Sequence, residues 1–99
     1  MTEITLRIVE LIKGIPEGKV SSYGSIALKA GLRNGGRQTA RVLHSLSEKH
    51  ALPWHRVIRS DGSIALEEGA GRELQIELLR VEGVEVSPDG KVDMRRFGL

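Results

Sequence analysis

Apolar positions along the chain change period near its middle. Ile4, Ile8, Leu11 and Ile12 are spaced by four, three and one, the stripe of a helix that buries one face. Thr2 or Thr5 can cap its start, and Gly14-Ile15-Pro16 stops it, since proline has no N–H to extend the ladder. The pattern predicts a helix over 4–13. Pro16-Glu17-Gly18-Lys19 is turn chemistry and Val20-Ser21-Ser22-Tyr23 a short extended step. A second helix is expected over 22–30, capped by Ser21 or Ser22, with Ile26, Ala27 and Ala30 inward and Gly31 at its left-handed exit. Leu32-Arg33-Asn34-Gly35-Gly36 reads as a loop. A third helix is expected over 36–48 with Ala40, Leu43 and Leu46 on the inward face.

Beyond Pro53 the period shortens to two. His55-Arg56-Val57-Ile58-Arg59 alternates, Ser60-Asp61-Gly62-Ser63 is a turn, and Ile64-Ala65-Leu66 continues extended, so a short hairpin is expected. Residues 67–71 form a loop. A fourth helix over 72–82 carries Leu74, Ile76, Leu78, Leu79 and Val81, with Gly83 as its stop. Residues 84–86 and 91–93 flank the turn Ser87-Pro88-Asp89-Gly90 and are placed to pair. The tail 94–99 carries no assignable pattern. No internal repeat or low-complexity segment interrupts the chain.

Composition narrows the picture. Ninety-nine residues make one expected domain, 1–99, with one modest core. That core must be mostly aliphatic, because the chain has one Trp, one Tyr and one Phe. Zero cysteines exclude disulfides, thiolate metal sites and thiol catalysis together. His44 and His50 have no partner at metal-ligand spacing, so neither a metal nor any other cofactor is expected. Net charge is only +2, which does not by itself demand a nucleic acid. Its distribution says more: Lys29, Arg33, Arg37 and Arg41 lie in a stretch, 24–47, that contains no acid. Such a local cationic run suits phosphate, although a solvated basic face would read the same way. Two short helices joined by a glycine-containing turn within that run make a helix-turn-helix candidate. No signal-peptide pattern and no membrane-length apolar run is found; the expectation is a soluble protein, cytoplasmic in a bacterium or nuclear in a eukaryote.

Five ordered elements then stand out: Pro16 to Gly24 (PEGKVSSYG), Arg37-Gln38, Pro53-Trp54-His55-Arg56-Val57-Ile58, Asp61-Gly62, and Leu78-Leu79 with Glu82-Gly83. In this combination the chain resembles the alkyltransferase-like proteins, cysteine-lacking relatives of the O6-alkylguanine-DNA alkyltransferases. The likeness runs from Ile4 to Gly83. In those enzymes the central motif is Pro-Cys-His-Arg-Val and the cysteine takes the alkyl group. Here Trp54 holds that position, and an indole offers an N–H donor but no useful nucleophile.

The resemblance implies a mostly α fold with a short β-hairpin: a winged-helix-like helix-turn-helix DNA-binding domain of the alkyltransferase type. It implies a lesion pocket made by Trp54, Tyr23, Pro53, Val57, Ile58 and Glu68. Arg37 is the implied finger that enters the duplex where the target nucleotide leaves, at the family's interval of 17 residues before Trp54; Arg41, one turn later, is the competing candidate. Ser22, at the start of the second helix, and Gln38, Thr39, Ala40 and Arg41, on the recognition helix, would face the DNA backbone, with Ala40 small enough for close approach. His55, Arg56 and Glu82 would be the remnant of a proton relay, kept for structure, with Arg56 tying the helix pair to the pocket through backbone carbonyls. The implied function is a non-enzymatic sensor that flips O6-alkylguanine out of duplex DNA and flags it for nucleotide excision repair. Its expected partners are lesion-bearing duplex DNA and the damage-recognition proteins of that pathway; the protein is expected to act as a monomer, without a membrane. The alternative is a winged-helix regulator without lesion specificity. Residual alkyl transfer to His55 or Tyr23, or base excision using Glu68, is chemically poor, since none of these matches a thiolate. One departure concerns the loop above the base: the enzymes carry a Tyr-Ser-Gly-Gly-like stretch there, and this chain has Glu67-Glu68-Gly69-Ala70-Gly71. Another is the absence of the enzymes' Asn-Pro-type hinge before the motif, where residues 46–52 read LSEKHAL.

Overall fold

Thr2 opens the first helix. Its hydroxyl accepts the Thr5 N–H at 3.1 Å, and α1 then runs over Glu3–Lys13. The computed structural model describes all 99 residues. Ser22 ends the two-residue strand β1, Ser21–Ser22, and its Oγ caps α2, Tyr23–Lys29, by accepting the Ser25 N–H at 3.1 Å. α3 covers Gly36–His50, two residues longer than expected, because Ala51 adopts the left-handed conformation and closes the last turn in a role glycine usually takes. Gly35 lets the loop press on α2: a Cβ there would stand 2.9 Å from the Ala27 Cβ and 2.7 Å from the Leu32 Cβ.

The expected hairpin is corrected. The Asp61-Gly62 bend does form, with the Gly62 N–H on the Arg59 carbonyl at 2.9 Å and the Ser63 N–H on Asp61 Oδ1 at 2.9 Å. The chain after it does not return along Val57–Ile58. Ile64 N–H goes instead to the Gly90 carbonyl at 3.0 Å, and Val92 N–H to the Gly62 carbonyl at 2.8 Å. Segments 84–86 and 91–93 therefore meet only at their turn, where Ser87 N–H bonds the Lys91 carbonyl at 2.9 Å. β2, Val57–Ile58, pairs in parallel with β1, Ser21 opposite Val57 and Ser22 opposite Ile58. Burial explains the choice. Val57 and Ile58 are both 0% exposed, and a strand buried on both faces suits a parallel pair better than a hairpin with one wet face. Residues 54–56 are not strand but a 3-10 turn, Trp54–Arg56.

Successive residues of β2 point into different cores. Val57 joins Ile8, Val9, Ile12, Ile15, Ile26 and Val42, where α1, α2 and α3 meet. Ile58 joins Val20, Ile64, Leu79, Val84, Val92 and Phe97, under α4, Arg72–Val81. The unassigned tail forms α5, Met94–Phe97, capped by Asp93, and pairs backbone to backbone with Val20 through Phe97 and Leu99. The mostly helical class is as expected. No helix is long and apolar enough to cross a membrane.

Candidate functional site

The two cores leave a seam, and the pocket lies there. A cavity of about 390 Å³ is lined by Tyr23 from α2, Ala40, Leu43, His44 and Ser47 from α3, Trp54 from the 3-10 turn, Leu66, and Gln75 from α4. Helical spacing builds one wall: residues 40, 43, 44 and 47 share a face of α3. Positions 39 and 42, the next face round, are the ones buried in the core. Ala40 and Leu43, expected inward, therefore face the pocket. Trp54 is the only indole of the chain, and its ring meets the His55 ring edge-on, centroids 6.0 Å apart, a geometry aromatic pairs favour. Burial pushes the Tyr23 phenol above its usual pKa, and nearby Arg59 opposes this only in part. The hydroxyl therefore stays protonated at neutral pH and can donate.

Below the pocket, His55, Arg56 and Glu82 converge. Arg56 donates to Glu82 from Nε at 2.9 Å and from Nη2 at 2.7 Å, and His55 Nε2 lies 2.8 Å from Glu82 Oε2. Gly18 N–H adds a bond at 3.3 Å. Burial alone would raise the carboxyl's pKa, but the bonds from Arg56, His55 and Gly18 outweigh it and hold Glu82 at about 2. An ionised carboxylate only accepts, so the proton of this bond sits on His55 Nε2. Arg56 reaches one carbonyl, Ile15 at 2.8 Å. Its tie is thus to the end of the first-helix segment and to Glu82, not to the helix pair as expected.

Other expected residues are placed differently. Val57 and Ile58 lie in the cores behind the pocket and do not line it. Pro53 is half-buried and Glu68 exposed, both outside the lining. Ser22 is buried, and its hydroxyl oxygen accepts the Ser25 N–H as a cap. Thr39 is 0% exposed and donates to the Tyr23 carbonyl at 3.0 Å; it locks α3 onto α2 instead of facing DNA. Arg37, Gln38 and Arg41 are exposed on the first turns of α3, with Lys29 and Arg33 exposed nearby in the chain. None of the four basic residues takes part in an ion pair. No group of His, Asp or Glu is arranged to hold a metal. Sequence reasoning missed Leu43, His44, Ser47, Leu66 and Gln75 as lining; for the α3 residues, the spacing from Ala40 was the signal that could have found them.

A family described as the DNA-binding domain of 6-O-methylguanine DNA methyltransferase matches residues 3–84. The chain belongs to this family. It is 42% identical to the DNA base-flipping protein of Vibrio parahaemolyticus over 98% of this chain and 96% of that one. It is 38% identical to alkyltransferase-like protein 1 of Schizosaccharomyces pombe, covering 87% and 81% of the two. The crystal structure of that yeast protein in complex with damaged DNA containing O6-carboxymethylguanine superposes with a TM-score of 0.86 at 34% identity, covering 100% of this chain and 96% of that one. Within this family the enzymes' acceptor is a cysteine, and this chain has none.

Proposed function

We propose that the protein is a non-enzymatic reader of O6-alkylguanine in duplex DNA. The exposed basic residues 29, 33 and 41 engage backbone phosphates, and the start of α3 enters the minor groove with Ala40 allowing close approach. Arg37 fills the gap left by the extruded nucleotide; its planar, permanently charged guanidinium can stack there and bond the orphaned base. The base enters the seam pocket and lies against Trp54, with Tyr23 at its edge. Base–aromatic contact contributes roughly 1–3 kcal/mol, which offsets part of the few kcal/mol that unstacking costs.

The observation that carries this reading is the cavity itself. One wall is Trp54, which the motif resemblance sets where the enzymes have their alkyl acceptor, and an indole there can bind without reacting. A held, extrahelical lesion must then be passed on, and the reading assigns that step to nucleotide excision repair proteins. The protein works as a single 1–99 domain and a monomer, in the cytoplasm or nucleus according to its source. Equilibrium binding of an O6-methylguanine duplex and its unmodified twin tests the reading. The lesion duplex is expected to bind more tightly, with Arg37→Ala weakening binding roughly ten-fold and Trp54→Ala removing most of the preference. Equal affinities for the two duplexes, or a permanent mass gain on the protein after incubation, would overturn it.

A further inference from the structure

α4 buries Gln75 and Leu79, and a helix packed on one side is normally polar on the other. The solvent side of α4 departs from this. Leu74 and Val81, two turns apart on one face, are 52% and 80% exposed. Single exposed aliphatics are ordinary, but grouped ones mark a surface that meets something. Val81 stands at the edge of a groove of about 820 Å³, lined also by Glu73, Ile76, Glu77 and Arg80 of the helix and by Pro88 of the turn after it. The groove follows the helix from Glu73 to Val81, a length of about 12 Å. It shares no residue with the base pocket or with the basic stretch 24–47.

Charge says what the groove can meet. The bases of α4 are Arg72 and Arg80, and the chain's own carbonyls hold both guanidiniums: Ile64, Leu66 and Asp89 for Arg72, and Val86 at 2.8 Å for Arg80. Glu73 and Glu77 are exposed and take part in no ion pair. Glu67 and Glu68 add two exposed carboxylates just before the helix. Such a surface repels duplex DNA and attracts a cationic protein segment. We propose that the α4 groove is a docking site for a basic segment of a partner protein that carries aliphatic anchors at helical spacing. The anchors cover Leu74 and Val81, and Lys or Arg side chains beside them meet Glu73 and Glu77. The basic stretch 24–47 stays free, so the partner binds while the protein is on DNA. The proposal does not depend on the lesion-pocket reading.

The test pans a random peptide library against the full chain saturated with unmodified duplex DNA, which occupies the cationic face. Enriched peptides are expected to combine Lys or Arg with Leu, Ile or Met spaced by three or four residues. Val81→Ser and Glu77→Gln are each expected to weaken their binding about ten-fold, with duplex affinity unchanged in both variants. Backbone amide shifts on titrating an enriched peptide are expected at residues 73–81 and not at 36–47. Library selection that enriches no sequence, or sequences without basic residues, would overturn the proposal. So would peptides indifferent to both substitutions, or peptides displaced by further duplex. Self-association of the wild-type chain that Val81→Ser abolishes would also overturn it, since a second copy would then cover the face.

Discussion

Glu82 sets a carboxylate with 8% side-chain exposure between a guanidinium, an imidazole and the Gly18 N–H. Its pKa in the fold, about 2, is below the ordinary carboxylate range. A depressed carboxyl contributes stability that is present above its unfolded pKa and lost as pH falls from there through about 2. The network is therefore expected to lose on the order of 3 kcal/mol between about pH 5 and pH 2. Glu82→Gln is expected to lower stability at pH 7 by about 3 kcal/mol, since it strands Arg56, and to flatten the acid dependence in that window. Denaturant unfolding at several pH values checks both. At this scale the motif residues were legible: Trp54 and Tyr23 reach one pocket, and His55 and Glu82 one hydrogen bond, as their positions in the motifs implied. Gln75 was not, because a glutamine in a leucine-rich helix reads as surface, and only the fold shows that position 75, not Leu74 or Val81, turns inward.

The third helix does three jobs with three faces. Positions 39 and 42 pack, positions 40, 43, 44 and 47 line the cavity, and Arg37, Gln38 and Arg41 remain in solvent. The sequence showed one apolar stripe and could not divide it between core and pocket, since both prefer Ala and Leu. Thr39 is the hinge of this arrangement. Thr39→Val keeps the shape but loses the bond to the Tyr23 carbonyl; a stability loss of about 1 kcal/mol is expected, with weaker lesion binding as Tyr23 loosens. Thermal unfolding and duplex titration read the two effects. The exposed cations predict a different signature. Replacing Arg33 and Arg41 with alanine is expected to weaken lesion and unmodified duplexes alike and to reduce the slope of log affinity against log salt by about 2. The short hairpin was misread at this scale because an alternating run such as 55–59 does not announce its pairing partner, and burial on both faces of Val57–Ile58 decided for β1.

Across the whole molecule, two aliphatic clusters meet at the β1–β2 pair, and the cavity opens along their seam. Elements from both sides contribute walls: α2 and α3 from one, Gln75 of α4 from the other. The tail completes the second cluster with Phe97 and Met94, although a four-residue helix has no period to read in advance. The pocket is expected to receive an alkylated base that lies against Trp54. Because Trp54 is the sole tryptophan, its fluorescence reports on the surroundings of that one site. Titration with an O6-methylguanine duplex is expected to quench the emission at concentrations where the unmodified twin leaves it unchanged. Superimposable titrations with the two duplexes, or lesion binding that leaves Trp54 emission untouched, would show that the base does not enter this pocket.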